Sequence, residues 1–243
     1  MSGDATVALV TGANKGLGYE VARQLGAKGA TVLVGARDPD RGGAAAERLA
    51  AEGVTAVYLP LDVTGPATVE AAASRILGEF GRLDVLVNNA GVLLERGEQP
   101  SDLTAEVMRG TFETNVFGVV TVTNTMLPLL RRSAAGRVVN LSSSLGSLAL
   151  VSTPGTIYAQ WPIMAYTSSK VTLNMLTVKY ANELRDTAIK VNSACPGYVA
   201  TDINGHQGTR TPAEGAEIVV ALATLGPDGP SGGFFDIDGP VAW

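Results

Sequence analysis

The stretch Thr6-Val7-Ala8-Leu9-Val10-Thr11-Gly12-Ala13-Asn14-Lys15-Gly16-Leu17-Gly18 decides the fold. Its first five residues are apolar or β-branched, the pattern of a strand buried on both faces. Glycines follow at 12, 16 and 18, and residues 19–28 read as a helix. A strand, a glycine turn and a helix in that order open a dinucleotide-binding βαβ unit. Gly12 permits the tight turn. Gly16 lets backbone approach a phosphate, and Gly18 allows the helix to pack closely on the strand. The unpaired N–H groups of the first helical turn then suit a pyrophosphate. Asn14, Lys15 and Leu17, interleaved with these glycines, belong to the same expected cofactor loop.

The alternation continues along the chain. Further strands are expected at 31–34, 56–61, 83–88, 136–141, 189–194 and 233–237, and helices at 41–52, 68–80, 103–132, 166–185 and 213–224. Strands alternating with helices imply an α/β fold of the Rossmann-like, doubly wound kind: a mainly parallel seven-stranded sheet with helices on both faces. No repeat, linker or low-complexity tract divides the sequence, so residues 1–243 are expected to form a single domain.

Composition narrows the function. Hydrophobic residues make up 46% of the 243, enough for a sizeable core. The net charge is −5 with no basic run, so no nucleic-acid partner is expected. No apolar stretch approaches the roughly 20 residues that span a bilayer, so no membrane partner is expected. The opening Met1-Ser2-Gly3-Asp4-Ala5 lacks the charged and apolar regions of a signal peptide. The one cysteine, Cys195, cannot form an internal disulfide, which makes the cytosol the default compartment. With one histidine and one cysteine, a zinc site of several such ligands is ruled out, and no metal is expected. His206, in the glycine-rich run 204–208, reads as a loop residue.

Two places carry chemistry beyond the glycine turn. The second strand ends in Gly35-Ala36-Arg37-Asp38. A carboxylate at the strand's last position would bind a ribose diol and repel a 2′-phosphate. Ala36 holds that position here, with Arg37 beside it and Lys15 in the glycine turn. Two cations near the adenosine ribose favour NADP over NAD, although a one-residue shift would bring Asp38 there. Asp62 and Val63 follow the third strand, suited to adenine. Asn88-Asn89-Ala90-Gly91 follows the fourth, where small residues admit a cofactor and the amides can tie neighbouring strands. The second place is Tyr166-Thr-Ser-Ser-Lys170 with Ser142-Ser143-Ser144 upstream. Residues four apart share a helix face, so the Lys170 ammonium can approach the Tyr166 phenol and lower its pKa. A nearby serine can hydrogen-bond a substrate oxygen.

Taken in order, Thr11-Gly12-x-x-x-Gly16-x-Gly18, Asn88-Asn89-Ala90-Gly91, Asn115, Ser143, Tyr166-x-x-x-Lys170 and Pro196-Gly197 resemble the short-chain dehydrogenases/reductases over essentially the whole chain. Asn14-Lys15-Gly16, Ala36-Arg37-Asp38, the run 136–140 and Cys195-Pro196-Gly197-Tyr198 are similar to the NADPH-dependent carbonyl reductases of that family. The resemblance implies hydride transfer between NADP(H) and a carbonyl/alcohol pair, a small-molecule substrate. Tyr166 would donate or accept the proton. Lys170 would bind the nicotinamide ribose and lower the tyrosine pKa. Ser143 would hold the substrate oxygen, with Ser142 and Ser144 as open alternatives. Asn115 would anchor a water in a relay to Lys170. Asn89, Ala90, Gly91, Pro196, Gly197, Val199 and Thr201 would complete the cofactor site, and residues 198–212 would form a mobile substrate loop. The rival reading is a catalytically silent NADP(H)-binding sensor or scaffold, which is expected to lose Tyr, Lys or Ser. Residues 145–165 look longer than in the common tetrameric members. Trp161, Ile163 and Leu148 there either line the pocket or cover the core, and a monomer or dimer is favoured over a tetramer.

Overall fold

The opening apolar run forms β1 (Val7–Thr11), buried along its whole length, in a computed structural model that describes residues 5–243. Residues 1–4, most of the stretch read for a targeting signal, lie outside it. The strands that follow are β2 (Thr31–Ala36), β3 (Ala56–Pro60), β4 (Val85–Asn88), β5 (Arg137–Leu141), β6 (Lys190–Ala194), β7 (Phe234–Asp236) and β8 (Gly239–Pro240). They form one sheet in the order β3-β2-β1-β4-β5-β6-β7-β8. Neighbours pair in parallel as far as β7, and β8 pairs antiparallel to β7. The expected seven strands are therefore eight. Asp236 Oδ1 accepts from the N–H groups of Asp238 and Gly239, and this turn folds two residues back onto β7.

The helices are α1 (Gly16–Ala27), α2 (Pro39–Ala51), α3 (Pro66–Phe80), α4 (Ala105–Phe112), α5 (Gly118–Leu130), α6 (Leu148–Val151), α7 (Ile157–Gln160), α8 (Met164–Glu183) and α9 (Pro212–Ala223). Alternate residues of β1 face opposite sides. Ala8 and Val10 join a core with Val21 and Leu25 of α1, Leu49 of α2 and Val219 of α9. Val7 and Leu9 join a second core with Ile76 of α3, Met126 of α5 and Leu184 beyond α8. The sheet is thus covered on both faces, as doubly wound folds require. No described helix is long and apolar enough to cross a membrane.

Two boundaries differ from expectation in ways that bear on function. Helix α1 begins at Gly16 and not at residue 19, so its first turn takes in Gly16 and Gly18. The expected helix at 103–132 is helical over α4 and α5 but widened between them by a π turn, Glu113–Phe117, where Gly118 N–H bonds the Glu113 carbonyl. Asn115 sits in that turn. Such widened turns shift the hydrogen-bond ladder by one residue and commonly mark functional positions.

A buried polar ladder fixes α8 on the sheet. Asn88 Nδ2 donates to Thr123 Oγ1 of α5 and to Asn140 Oδ1 of β5. Asn140 Nδ2 donates to Thr177 Oγ1 of α8 at 2.8 Å, and Thr177 Oγ1 pairs with Ser193 Oγ of β6 at 2.8 Å. Thr177 is fully buried. Thr177→Val keeps the shape but strips Asn140 and Ser193 of a partner, so it should cost about 1–3 kcal/mol. Urea unfolding of the two proteins measures this; a difference within experimental error would mean the ladder does not hold the helix.

Candidate active site

The strand order reverses between β1 and β4, and a cleft of about 570 Å³ opens at the carboxyl ends of these strands. At one end lies the glycine turn. Gly12 and Gly16 have φ of 65° and 56°, a region that L side chains rarely adopt. A Cβ on Gly18 would lie 2.4 Å from Asn89 Nδ2 and 2.6 Å from the Gly12 carbonyl oxygen, so only glycine fits. Asn89 clasps the turn, donating from Nδ2 to the Thr11 and Gly12 carbonyls. Thr11 Oγ1 accepts in return from the N–H groups of Asn89 and Ala90. The backbone here is held close to the cleft, with the amino end of α1 aimed across it.

Ala36 and Arg37 line the same end of the cleft, and Asp38 does not. Asp38 instead caps α2: its carboxylate accepts from Arg41 N–H at 3.0 Å and pairs with the Arg41 guanidinium. The carboxylate that would have repelled a 2′-phosphate is thereby turned away. Arg37 is exposed. Lys15, by contrast, forms an ion pair with Asp202, which also pairs with His206. Lys15 and His206 together hold the Asp202 carboxyl below its ordinary range, the lysine contributing more. Of the two cations expected at the ribose, Arg37 is the one with no carboxylate partner among the described residues. Gly12, Asn14, Lys15, Gly16, Leu17, Gly18, Asp62, Val63, Asn89, Ala90, Gly91, Pro196, Gly197, Val199 and Thr201 all line the cleft.

At the other end, α8 carries Tyr166 and Lys170 into the cleft beside Ser143. The Ser143 hydroxyl stands near enough to the Tyr166 phenol to favour its phenolate. Ser144 Oγ lies 3.1 Å from Cys195 Sγ, and Ser142 is buried with its hydroxyl unpartnered among the described residues. Of the three serines, Ser143 is thus the one beside the phenol. Lys170 is 4% exposed; its Nζ donates to the Leu141 carbonyl at 2.6 Å and stands 5.4 Å from the centre of the Tyr166 ring. Asn115 does not line the cleft. Its amide accepts from Val92 N–H and donates to the Val92 carbonyl and Ser169 Oγ.

The electrostatics depart from expectation. Burial pushes the Tyr166 phenol above its ordinary 10.0, the Cys195 thiol adds to the rise, and Ser143 opposes it. Burial outweighs the expected lowering by Lys170, whose ammonium donates to the Leu141 carbonyl and stands over the ring. Lys170 itself falls from 10.5 to about 8, chiefly through desolvation.

Residues 145–165 reach the cleft only at their ends, where Leu145 lines the wall on one side. Trp161 and Ile163 line it, and Trp161 meets Tyr198 edge-to-face at 5.7 Å across the mouth. Leu148, named with them as a candidate, points to solvent instead: its turn, α6, is four residues long and too short for its apolar face to be read from spacing. Leu93, Leu94 and Ile203 also line the cleft and had no distinguishing signal in the sequence.

Comparison with known proteins agrees with this arrangement. The family model for short chain dehydrogenases matches residues 6–211. The chain is 37% identical to mouse (Mus musculus) carbonyl reductase [NADPH] 1, over 96% of this chain and 97% of that one. The structure of salutaridine reductase from Papaver somniferum superposes with a TM-score of 0.83 at 33% identity, covering 95% of this chain and 99% of that one. NADPH-bound carbonyl reductase from chicken fatty liver superposes with a TM-score of 0.86 at 29% identity, covering 98% of each chain. The chain belongs to the short-chain dehydrogenases.

The depressed Lys170 pKa has a consequence for stability. Below about pH 8 the folded protein holds a desolvated ammonium at a cost of about 3 kcal/mol. Between about pH 8 and 10.5 the unfolded chain binds the extra proton, so stability rises with pH through that window. Tyr166 acts in the opposite sense only above its ordinary 10.0, at the top of that window. Relative to Lys170→Met, the wild-type protein free of cofactor should therefore gain up to about 3 kcal/mol between pH 7 and 10.5. Urea titrations at several pH values measure it, and a pH-independent difference would contradict the buried-ammonium account.

Proposed function

We propose that this short-chain dehydrogenase is an NADPH-dependent oxidoreductase that reduces an apolar ketone, aldehyde or quinone and can run the reaction in reverse. The observation that carries the proposal is one cleft with two chemistries. An arginine with no carboxylate partner among the described residues and a glycine turn stand at one end, and a tyrosine, a lysine and a serine converge at the other. A silent binding protein has no need of the second set.

The cofactor, when bound, supplies the hydride. This chain's residues bind it and manage the proton. The first-turn N–H groups of α1 would hold the pyrophosphate, and Arg37 would take a 2′-phosphate in a charge-assisted contact. Gly91 lies beside Lys170, where a Cβ would stand 3.8 Å from Nζ, so a ribose can approach the ammonium there. Ser143 donates to the substrate oxygen. Tyr166, protonated at neutral pH as phenols are and kept so by burial, gives its proton to that oxygen as the carbonyl is reduced. Oxidation needs the phenolate, so alcohol oxidation gains from alkaline pH while reduction does not. Lys170 would hold the nicotinamide ribose, and its ammonium would favour the phenolate that oxidation needs. Asn115 stands in the π turn with its amide engaged by Val92 and Ser169, and a relay water toward Lys170 would be held from this position.

The mouth sets the substrate class. Trp161, Tyr198, Leu94 and Ile203 are each about two-fifths exposed and border the cleft. An apolar substrate covers them and gains their burial, about 25 cal/mol per Å². The expected setting is the cytosol, where the unpaired Cys195 stays reduced. The expected assembly is a monomer or dimer, which light scattering after size exclusion decides.

NADPH and NADH oxidation across ketones, aldehydes and quinones tests the reading. Wild type should prefer NADPH. Losing one charge-assisted phosphate contact costs about 1.5–3 kcal/mol, so Arg37→Ala should weaken NADPH roughly ten- to a hundredfold and leave NADH nearly unchanged. Equal losses for both cofactors, or a wild-type preference for NADH, would sink the assignment.

A further inference from the structure

The residues that follow Gly91 are clamped to α8 at two points. Asn115 holds Val92 from both sides, accepting from its N–H at 2.8 Å and donating to its carbonyl at 2.9 Å. The same amide donates to Ser169 Oγ on α8 at 3.0 Å. Further along, Glu95 is 5% exposed, and its two carboxylate oxygens accept from the N–H groups of Ala165 and Tyr166, each at 2.8 Å. These amides belong to the first turn of α8, whose cap residue, Ile163, has no side chain to satisfy them. At three other helices the residue at the helix's own entrance does this: Asp38 at α2, Thr104 at α4 and Thr211 at α9. At α8 the partner comes from 70 residues earlier in the chain.

Both backbone groups of Tyr166 end on the same strip. Its N–H reaches Glu95 directly. Its carbonyl accepts from Ser169 Oγ at 2.7 Å, and Ser169 leads through Asn115 to Val92. Between the two clamps, Leu93 and Leu94 wall the cleft.

We propose that Glu95 is a positioning residue for the reaction: it sets the distance of the Tyr166 phenol from the cleft wall formed by Leu93 and Leu94. A carbonyl compound resting on that wall then meets the phenol at a fixed height. A carboxylate suits the task, because it accepts two N–H bonds at once and its charge is favoured at a helix amino terminus. The inference rests on the reading of Tyr166 as the acid, and it extends that reading to a residue that touches neither substrate nor cofactor.

Glu95→Ala and Glu95→Gln, compared with wild type on the carbonyl compound that wild type reduces fastest, test it. Displacing a reacting group by a fraction of an ångström to one ångström costs about ten- to a hundredfold, and Glu95→Ala should lose that much in kcat. Its NADPH affinity, followed by nucleotide fluorescence, should stay within about twofold. The solvent isotope effect on kcat should rise as proton transfer becomes limiting. Glu95→Gln keeps one acceptor oxygen and should recover part of kcat. Unchanged kcat overturns the inference. So does a fall in kcat matched by an equal loss of NADPH affinity with no change in isotope effect, the mark of a merely structural role. If Glu95→Ala does not fold, Glu95→Gln is judged by the same split. A wild type that reduces no carbonyl compound would instead defeat the functional reading. Hydrogen exchange then decides the inference without turnover: faster exchange of the Ala165 and Tyr166 amides in a Glu95 variant supports it, and unchanged protection overturns it.

Discussion

Burying a phenol and an ammonium side by side at the carboxyl edge of the sheet is the constraint that the rest of the site serves. Each group resists burial in its charged form, so the tyrosine pKa rises and the lysine pKa falls. Nothing in helix α8 alone would hold them there. The Asn88–Asn140–Thr177–Ser193 ladder fixes the helix on the sheet from below. Glu95, Ser169 and Asn115 fix its first turn from the side. The Lys170 ammonium donates to the Leu141 carbonyl at the end of β5. Polar groups with complete partners can be buried without large penalty, and these networks make α8 a rigid platform for a site that is costly in itself.

The two ends of the cleft are built by different means. The cofactor end is backbone: a glycine turn, a helix amino terminus and the Asn89 clasp between β1 and β4. Its geometry follows from which residues lack a Cβ. The chemical end is side chain, and its geometry follows from long-range hydrogen bonds. The apolar mouth of Trp161, Tyr198 and Ile203 is built from connections outside the sheet, where sequence changes alter substrate choice with little effect on the fold.

This difference explains what the sequence revealed. The glycine turn and the Tyr166–Lys170 pair are local patterns, and both stand where the spacing put them. Ala36 and Arg37 could be read at the end of β2, but the doubt over Asp38 was settled only by its hydrogen bond to Arg41. Glu95 and Ser169 were invisible because their partners lie elsewhere in the chain or on its backbone, and a glutamate in a polar run carries no mark of burial. The π turn at Asn115 is a shift of the hydrogen-bond ladder that helical periodicity does not register. Strand β8 is two residues long, below the length at which alternation can be seen. The direction of the Tyr166 shift was misjudged for a physical reason: spacing places a cation nearby but does not say which way it points, or how much water burial removes.

The central claim is that Tyr166 is the acid that the whole edge is arranged to hold. Tyr166→Phe keeps the ring and removes only the hydroxyl, and single-turnover reduction by the pre-formed NADPH complex reports on that atom alone. The account predicts unchanged NADPH affinity and a reduction rate lower by roughly a hundred- to ten-thousandfold, the range a positioned general acid contributes. Near-normal reduction by Tyr166→Phe with NADPH bound would contradict it.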